Sequence, residues 1–283
     1  MNKNLGWNNV SNWYDNLVGD EGSEYHRFVI FPAIKKILDR EKDNIKNLKV
    51  IDFACGQGVF CRVLKDLSIN EITGLDISSA LIKQAKKRGS EGINYMTADV
   101  TKLLSQNGNL KYDLKTEYYD YLTIILSIQN ISPITPVFKA ASKLLKKGGS
   151  IIIVMMHPSF RIPQYSDWNF NEKEDRQERM IWKYLESEDI KITTNPGKEA
   201  SGEKSTFTIH YHRPIKSYIN TLSQFDLFTY HMEELITHKK EQKGIKSEAI
   251  EKSKKEIPLF MLIIAKKIWH ILWLCLTVAF ILS

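Results

Sequence analysis

The sequence predicts an α/β fold with a parallel sheet and crossover helices, on three observations. Short apolar runs of strand length alternate with amphipathic segments between residues 48 and 153. The first run, Leu48-Lys-Val-Ile-Asp-Phe53, breaks into Ala-Cys-Gly-Gln-Gly58, and a helix-like run follows at once. Three successive runs carry a carboxylate at or near their ends: Asp52, Asp76 and Asp99. Strand, glycine turn and helix N-terminus together let backbone come close to a polar ligand, because glycine has no Cβ and the first helical N–H groups are unpaired.

Taken in order, strands are expected at 48–53, 71–77, 93–96, 119–126 and 150–156, each an apolar run bounded by turn residues. Helices fill the gaps at 59–67, 79–88 and 133–145. Ser78 is the expected N-cap of the second, which closes before Gly89; the Gly148-Gly149 pair is expected to end the third and feed the fifth strand. Ahead of this core, 13–40 reads as an aromatic-rich segment and then a helix, with Pro32 marking a helix start. Behind it, 171–195 is charged and without a clean period, Pro196-Gly197 makes a turn, and 205–212 alternates at period two as a half-buried strand does. With 180–185 as its antiparallel partner, this region forms an inserted hairpin or lid at about 160–213. A helix at 215–225 and strands at 227–232 and 259–265 follow. The organisation is thus an N-terminal cap (1–47), one main domain with an insertion (48–267) and an apolar tail (268–283).

A net charge of +7 and a pI of 9.0 raise the question of an acidic partner. Nucleic acid would call for a stripe of Arg and Lys on one face, and the lysines here are scattered between acids, so no nucleic-acid partner is expected. Cys55, Cys61 and Cys275 have neither zinc-site spacing nor an even count for disulfides, which points to a reducing, cytoplasmic setting. The first residues lack a basic segment followed by an apolar run, so no secretory signal is expected. The 268–282 stretch has His270 as its only strongly polar residue but is shorter than the ~20 residues of a membrane span. It reads as a short membrane insertion, in which Lys266 and Lys267 would keep the main domain cytoplasmic, as a shallow membrane anchor or as a packed helix.

Strand C-termini in an open parallel sheet line one crevice, so Asp52, Asp76 and Asp99 fall together. Asp76, about 20 residues beyond the glycine loop, stands where an acid holds both hydroxyls of a ribose. A dinucleotide would want a third glycine where Cys61 stands, and a charged Asp52 would oppose a pyrophosphate by ~4 kcal/mol at 4 Å and intermediate dielectric. A cationic ligand would welcome it.

In Val50-Ile-Asp-Phe-Ala-Cys-Gly-Gln-Gly58, Gly74-Leu-Asp-Ile-Ser78 and Ala98-Asp-Val100, the sequence resembles the class I S-adenosylmethionine-dependent methyltransferases, over about 48–156. The resemblance implies a doubly wound, mostly parallel seven-stranded sheet whose last strand, 259–265, is antiparallel. It also implies S-adenosyl-L-methionine as cofactor: Gly56 and Gly58 beside its amino-acid part, Asp52 toward its ammonium, Asp76 on the ribose, Ile77 on the adenine, Asp99 and Val100 at the adenine edge. Ala54 stands where the family commonly has glycine, a methyl that fits if the backbone there is not left-handed. After the fourth strand, Ser127, Gln129 and Asn130 would face the reacting methyl, Gln129 or Asn130 bonding a substrate atom or simply ending the strand.

His157 directly follows the fifth strand and is either a general base or a strand-end hydrogen-bonding group. Phe160 and Arg161 are candidates to pack and charge-pair a substrate, with Tyr211, His212 and Arg213 approaching from the lid. His210 and His212 share a strand face but lack a third ligand, so no metal is expected. Tyr14 and Tyr25 lie in segments resembling the leading segment that folds over the cofactor in small-molecule members. The expected reaction is in-line methyl transfer to a small molecule enclosed by lid and cap. A nicotinamide oxidoreductase and a membrane-tethered, non-catalytic cofactor-binding protein are the rivals.

Overall fold

Central strands buried on both faces need helices on both sides, and the apolar runs here are placed accordingly. The structure, a computed structural model, describes residues 6–89, 91–193, 206–240, 244 and 246–268. The expected Pro196-Gly197 turn, and all of the 268–282 stretch but its first residue, lie outside them. Strands β1 (Lys49–Phe53), β2 (Glu71–Asp76), β3 (Ile93–Thr97), β4 (Tyr119–Ile125) and β5 (Leu145–Met156) alternate with helices α4 (Val59–Asp66), α5 (Ser79–Arg88) and α6 (Thr135–Leu144). Before them come α1 (Gly6–Asn9), α2 (Ser11–Val18) and α3 (Phe31–Leu38), the last with a proline in its first turn as expected.

Seven strands form one sheet in the order β10-β11-β5-β4-β1-β2-β3, with β10 at Leu227–Leu235 and β11 at Phe260–Lys267. β1 to β5 are parallel, and β11 runs antiparallel between β10 and β5. This is the predicted doubly wound sheet with its antiparallel last strand. Adjacent residues feed opposite cores: Val50 packs with Ile34, Leu64 and Ile82, whereas Ile51 packs with Phe138, Leu222 and Ile263. The strand order reverses between β1 and β4, which opens a crevice at the strands' C-terminal ends.

The insertion holds two hairpins, β6 (Ser166–Asn171) with β7 (Arg176–Ile181) and β8 (Glu188–Thr193) with β9 (Phe207–His212). The strand predicted at 205–212 therefore exists, but its partner is not 180–185. Met180 and Ile181 pair with Asp167 and Ser166, while Ile190 and Ile192 of β8 supply the alternation that meets β9. Helix α7 (Ile215–Ser223) follows as expected, and an unforeseen α8 (Ser247–Glu256) reaches back to β7 through Ser253 Oγ, which donates to Gln177 Oε1 at 2.9 Å. The glycine pair does not end α6, which stops at Leu144; Gly148 and Gly149 sit inside β5, in the bulge between the Tyr119–Leu145 and Tyr121–Ser150 pairings. A Cβ on Gly149 would stand 3.0 Å from the Tyr119 carbonyl oxygen, so the bulge itself requires glycine.

Ionic contacts fasten the N-terminal helices to the sheet's top edge. Arg88, at the end of α5, donates to both oxygens of Asp15 at 2.7 and 2.9 Å and to Asp20 at 2.6 Å. Arg62 donates to the Gln57 carbonyl at 2.8 Å and to the Asp20 carbonyl at 2.8 Å, and Gln57 Nε2 donates to the Gly19 carbonyl. A bidentate, partly buried Arg–carboxylate pair is among the stronger surface contacts, at ~1–2 kcal/mol after solvent screening. Arg88→Ala is expected to expose the α1–α2 segment to limited proteolysis ahead of the rest of the chain; equal cleavage rates in variant and wild type would contradict the clamp.

Candidate active site

The polypeptide turns from β1 into α4 through a run of left-handed residues, Ala54 (φ 54°), Gly56 (φ 57°) and Gly58 (φ 79°). Gly58 is the residue before α4, and a Cβ there would lie 2.3 Å from the Tyr95 hydroxyl oxygen. A Cβ on Gly56 would come within 3.0 Å of the Tyr14 ring. Both glycines are therefore required by backbone sign and by space. Ala54 is left-handed too, so the condition set from the sequence is not met: its methyl is accommodated at a strain of ~1–2 kcal/mol.

Asp76 fixes this loop. Its carboxylate accepts from the Gly56 N–H at 2.8 Å with one oxygen and from the Ser78 N–H at 2.8 Å with the other. Burial pushes its pKa up to about 6 despite those bonds. Ser78 also caps α5, its Oγ accepting from the Leu81 N–H at 3.3 Å, as predicted. Asp99 ends the next strand region. Burial opposes its charge, but hydrogen bonds from Thr101 and the Lys102 ammonium together hold its pKa below the ordinary value.

These groups open on a cleft of about 540 Å³, a size that suits a nucleoside cofactor with a small acceptor. Ala54, Gly56, Asp76, Ile77, Asp99 and Val100 line one wall, and Ser127 and Asn130 line the end of β4. Tyr14 and Trp7, edge to face at 5.9 Å, cover it from the N-terminal helices, while Phe207, Ile209 and Tyr211 of β9 form the outer wall. Leu126, also in the lining, is held left-handed (φ 50°), a strain of the kind that collects at binding sites. Trp7 and Asn9, which no local motif marks, join the lining because α1 packs over it, fastened by Asn8 Oδ1, which accepts from Ser78 Oγ at 2.7 Å.

Seven residues picked from the sequence stand outside the cleft lining. Asp52 is buried beneath the loop, because β1 register places it beside Thr123, whose hydroxyl donates at 2.6 Å; Cys61 Sγ lies 3.7 Å from the other oxygen. Burial pushes its pKa up to about 7, so its charge is only partly developed at neutral pH, and the case against a pyrophosphate rests on Cys61, wholly buried in α4. Gln129 is buried and spends its Nε2 on the Leu126 carbonyl at 2.8 Å. His157 lies outside the cleft lining: its Nδ1 accepts from the Ser159 N–H at 3.2 Å, which directs Nε2–H to Glu234 at 2.9 Å, and its ring packs at a tilt against Phe160, centroids 4.7 Å apart. Burial lowers its pKa, with Glu234 opposing. His212 bonds the Tyr184 carbonyl at 3.0 Å, and Phe160 and Arg161 lie beyond β5, away from the cleft lining. Gly58 supports the loop rather than lining it.

The residues present fit a nucleoside cofactor: a glycine cradle, a carboxylate at ribose position, and a buried Ser127 Oγ without a hydrogen-bond partner among the described residues. Fold and site together define a Rossmann-like nucleoside-cofactor domain. The family model for the methyltransferase domain matches residues 24–195, and the chain belongs to the class I S-adenosylmethionine-dependent methyltransferase family. Solved structures of similar fold include an S-adenosylmethionine-dependent methyltransferase from Mesorhizobium loti (TM-score 0.60, 22% identity, covering 82% of this chain and 96% of that one). A putative one from Listeria monocytogenes gives 0.58 at 19% identity, over 82% and 96%. Among curated proteins, demethylmenaquinone methyltransferases are similar: that of Staphylococcus aureus at 24% identity over 51% of this chain and 56% of its own, and that of Thermotoga maritima at 32% over 39% and 44%. The chain thus spans about half the length of the curated relatives it matches.

Two measurements check the site's energetics. Because the folded pKa values of Asp52 (about 7) and Asp76 (about 6) lie above the ordinary 3.8, their contribution to stability is full below pH 3.8 and lost as pH rises through 6 and 7. Asp52→Asn should flatten the dependence of Tm on pH in that window; an unchanged slope would contradict it. Ala54→Gly should raise stability by ~0.5–1 kcal/mol in urea unfolding, since relief of left-handed strain exceeds glycine's added entropy.

Proposed function

We propose that the protein methylates a small, largely apolar molecule held between the N-terminal helices and β9. The observation that carries this reading is the enclosure itself: the cofactor residues and β9 face each other across one cleft, with Tyr14 and Trp7 as its cover. When bound, S-adenosylmethionine supplies an electrophilic methyl group on a sulfonium. Asp76 would then accept hydrogen bonds from ribose hydroxyls, and Ile77 and Val100 would pack the adenine. Ser127 Oγ and the Asn130 amide are the polar groups at the end of β4 available to orient an acceptor.

Among the described residues lining the cleft, the titratable ones are Tyr14, Asp76, Asp99 and Tyr211. Tyr14 is pushed well above its ordinary pKa by burial and by Asp76, so it stays a neutral hydroxyl. Rate acceleration then comes from holding the acceptor at near-attack distance and excluding water during the transfer; the described residues lining the cleft include no histidine or lysine, and the proton the acceptor loses passes to solvent as the product leaves. The relatives named as demethylmenaquinone methyltransferases make a hydroquinone one acceptor to try.

Titration calorimetry should give S-adenosylmethionine binding, and a metabolite extract should yield S-adenosylhomocysteine. Binding without any product would favour a non-catalytic role. Asp76→Ala should weaken binding at least ~100-fold, since it removes both the ribose contact and the anchor of Gly56. For the wild type, affinity for S-adenosylhomocysteine should climb with pH and level off above about 6, because hydroxyl donors favour the ionised Asp76.

A further inference from the structure

Just past the end of β5, two arginines of the insertion lie against one indole. The Arg161 guanidinium sits 5.3 Å from the Trp168 ring centre and that of Arg179 sits 5.0 Å from it. Arg179 is positioned by the Phe160 carbonyl, to which its Nε donates at 2.7 Å, and by Ser166 Oγ. Arg161 has no such ties: among the described residues no side-chain hydrogen bond and no carboxylate within ion-pair distance meets it, and its Nε is buried without a partner. Buried polar groups are ordinarily satisfied, and a guanidinium, with five donors, more insistently than most. Burial first, and then the neighbouring Arg179, push the Arg161 pKa down to about 10, a measure of how poorly its charge is compensated.

We infer that Arg161 and Arg179, held against Trp168, bind an anionic group, a carboxylate or a phosphate, carried by the methyl acceptor. A planar fork suits either oxyanion, and the indole fixes the plane of the fork. The place fits an acceptor. Arg161 follows β5, which is joined to the cleft by the Leu126 N–H donating to the Val154 carbonyl at 2.7 Å. Leu126 lines the cleft; Tyr25, whose ring meets Phe260 at 5.4 Å beside Met156 at the end of β5, is close enough to Arg161 to influence its charge. An acceptor lying across the ends of β4 and β5 would thus reach Ser127 and Asn130 with its reacting end and Arg161 with its charged end.

This inference rests on the methyltransferase reading, and the test separates the two. Inorganic phosphate and sodium acetate are titrated at constant ionic strength into wild type, Arg161→Gln, Arg161→Lys and Arg179→Gln, each saturated with S-adenosylhomocysteine, with Tm as readout. One of the anions is expected to raise the wild-type Tm, thereby naming the oxyanion, and its apparent affinity should fall at least ~10-fold in Arg161→Gln and Arg179→Gln and less in Arg161→Lys. S-adenosylhomocysteine affinity should stay within twofold across the set, and failure of that ligand to bind wild type would sink the methyltransferase reading instead. Neither anion stabilising wild type, or equal stabilisation of all four proteins, overturns the inference. Methylated product formed from a metabolite extract should be retained on an anion exchanger; product in the flow-through overturns it too.

Discussion

The site depends on one carboxylate joining two strands. Asp76 ends β2, yet its oxygens hold the backbone of Gly56, beyond β1, and of Ser78, at the head of α5. A loop with three left-handed residues would otherwise be free to relax, and a charged group accepting two N–H bonds is one of the few contacts strong enough to prevent it. The same bonds leave the carboxylate at the cleft surface and, because it is buried, reluctant to ionise. Scaffold and cleft lining are thus a single group, so any change at 76 alters both.

Around that group the chain encloses the cleft from two sides that are distant in sequence. The N-terminal helices are fastened by Arg88 and Arg62, and Tyr14 fills the space that a Cβ on Gly56 would need. The opposite wall is β9, held in place by the Arg213 guanidinium, which donates to the Ile131 carbonyl at 2.8 Å. Among the described residues neither wall brings a histidine or a lysine to the lining.

The sheet was legible because its strands are buried on both faces: 48–53, 71–77 and 150–156 each read as strands without reference to anything distant, and Ser78 and Gly89 marked α5 from local chemistry alone. The insertion was not. In β6 and β7 the residues are half-buried or exposed, so no face carries an apolar period, and the choice of partner for β9 turned on Ile190 and Ile192 against a charged background. Asp76, Asp99 and the glycines could be placed because strand ends converge by topology. Asp52 could not, since its orientation is decided by pairing opposite Thr123, a register that local sequence does not encode. The same holds for His157, whose partner Glu234 is on β10, and for α1, whose place over the cleft comes from a tertiary contact between Asn8 and Ser78.

The buried charges of the molecule divide by sign. Asp52 and Asp76 sit under and beside the glycine loop, both held toward the neutral form by desolvation, while Arg161 and Arg179 sit past β5 with their charge poorly offset. Each group carries a penalty that the fold alone does not relieve. In the proposed reading, a ligand with hydroxyl groups at one end would relieve Asp76, and an anion at the other would relieve the arginines. Opposite charges at the two ends of a bound pair fix its direction as well as its affinity, because reversing it would place like charges together in a low-dielectric setting. Under the proposed reading, that orientation is what would set the sulfonium and the acceptor in line, and it would follow from where the desolvated charges lie.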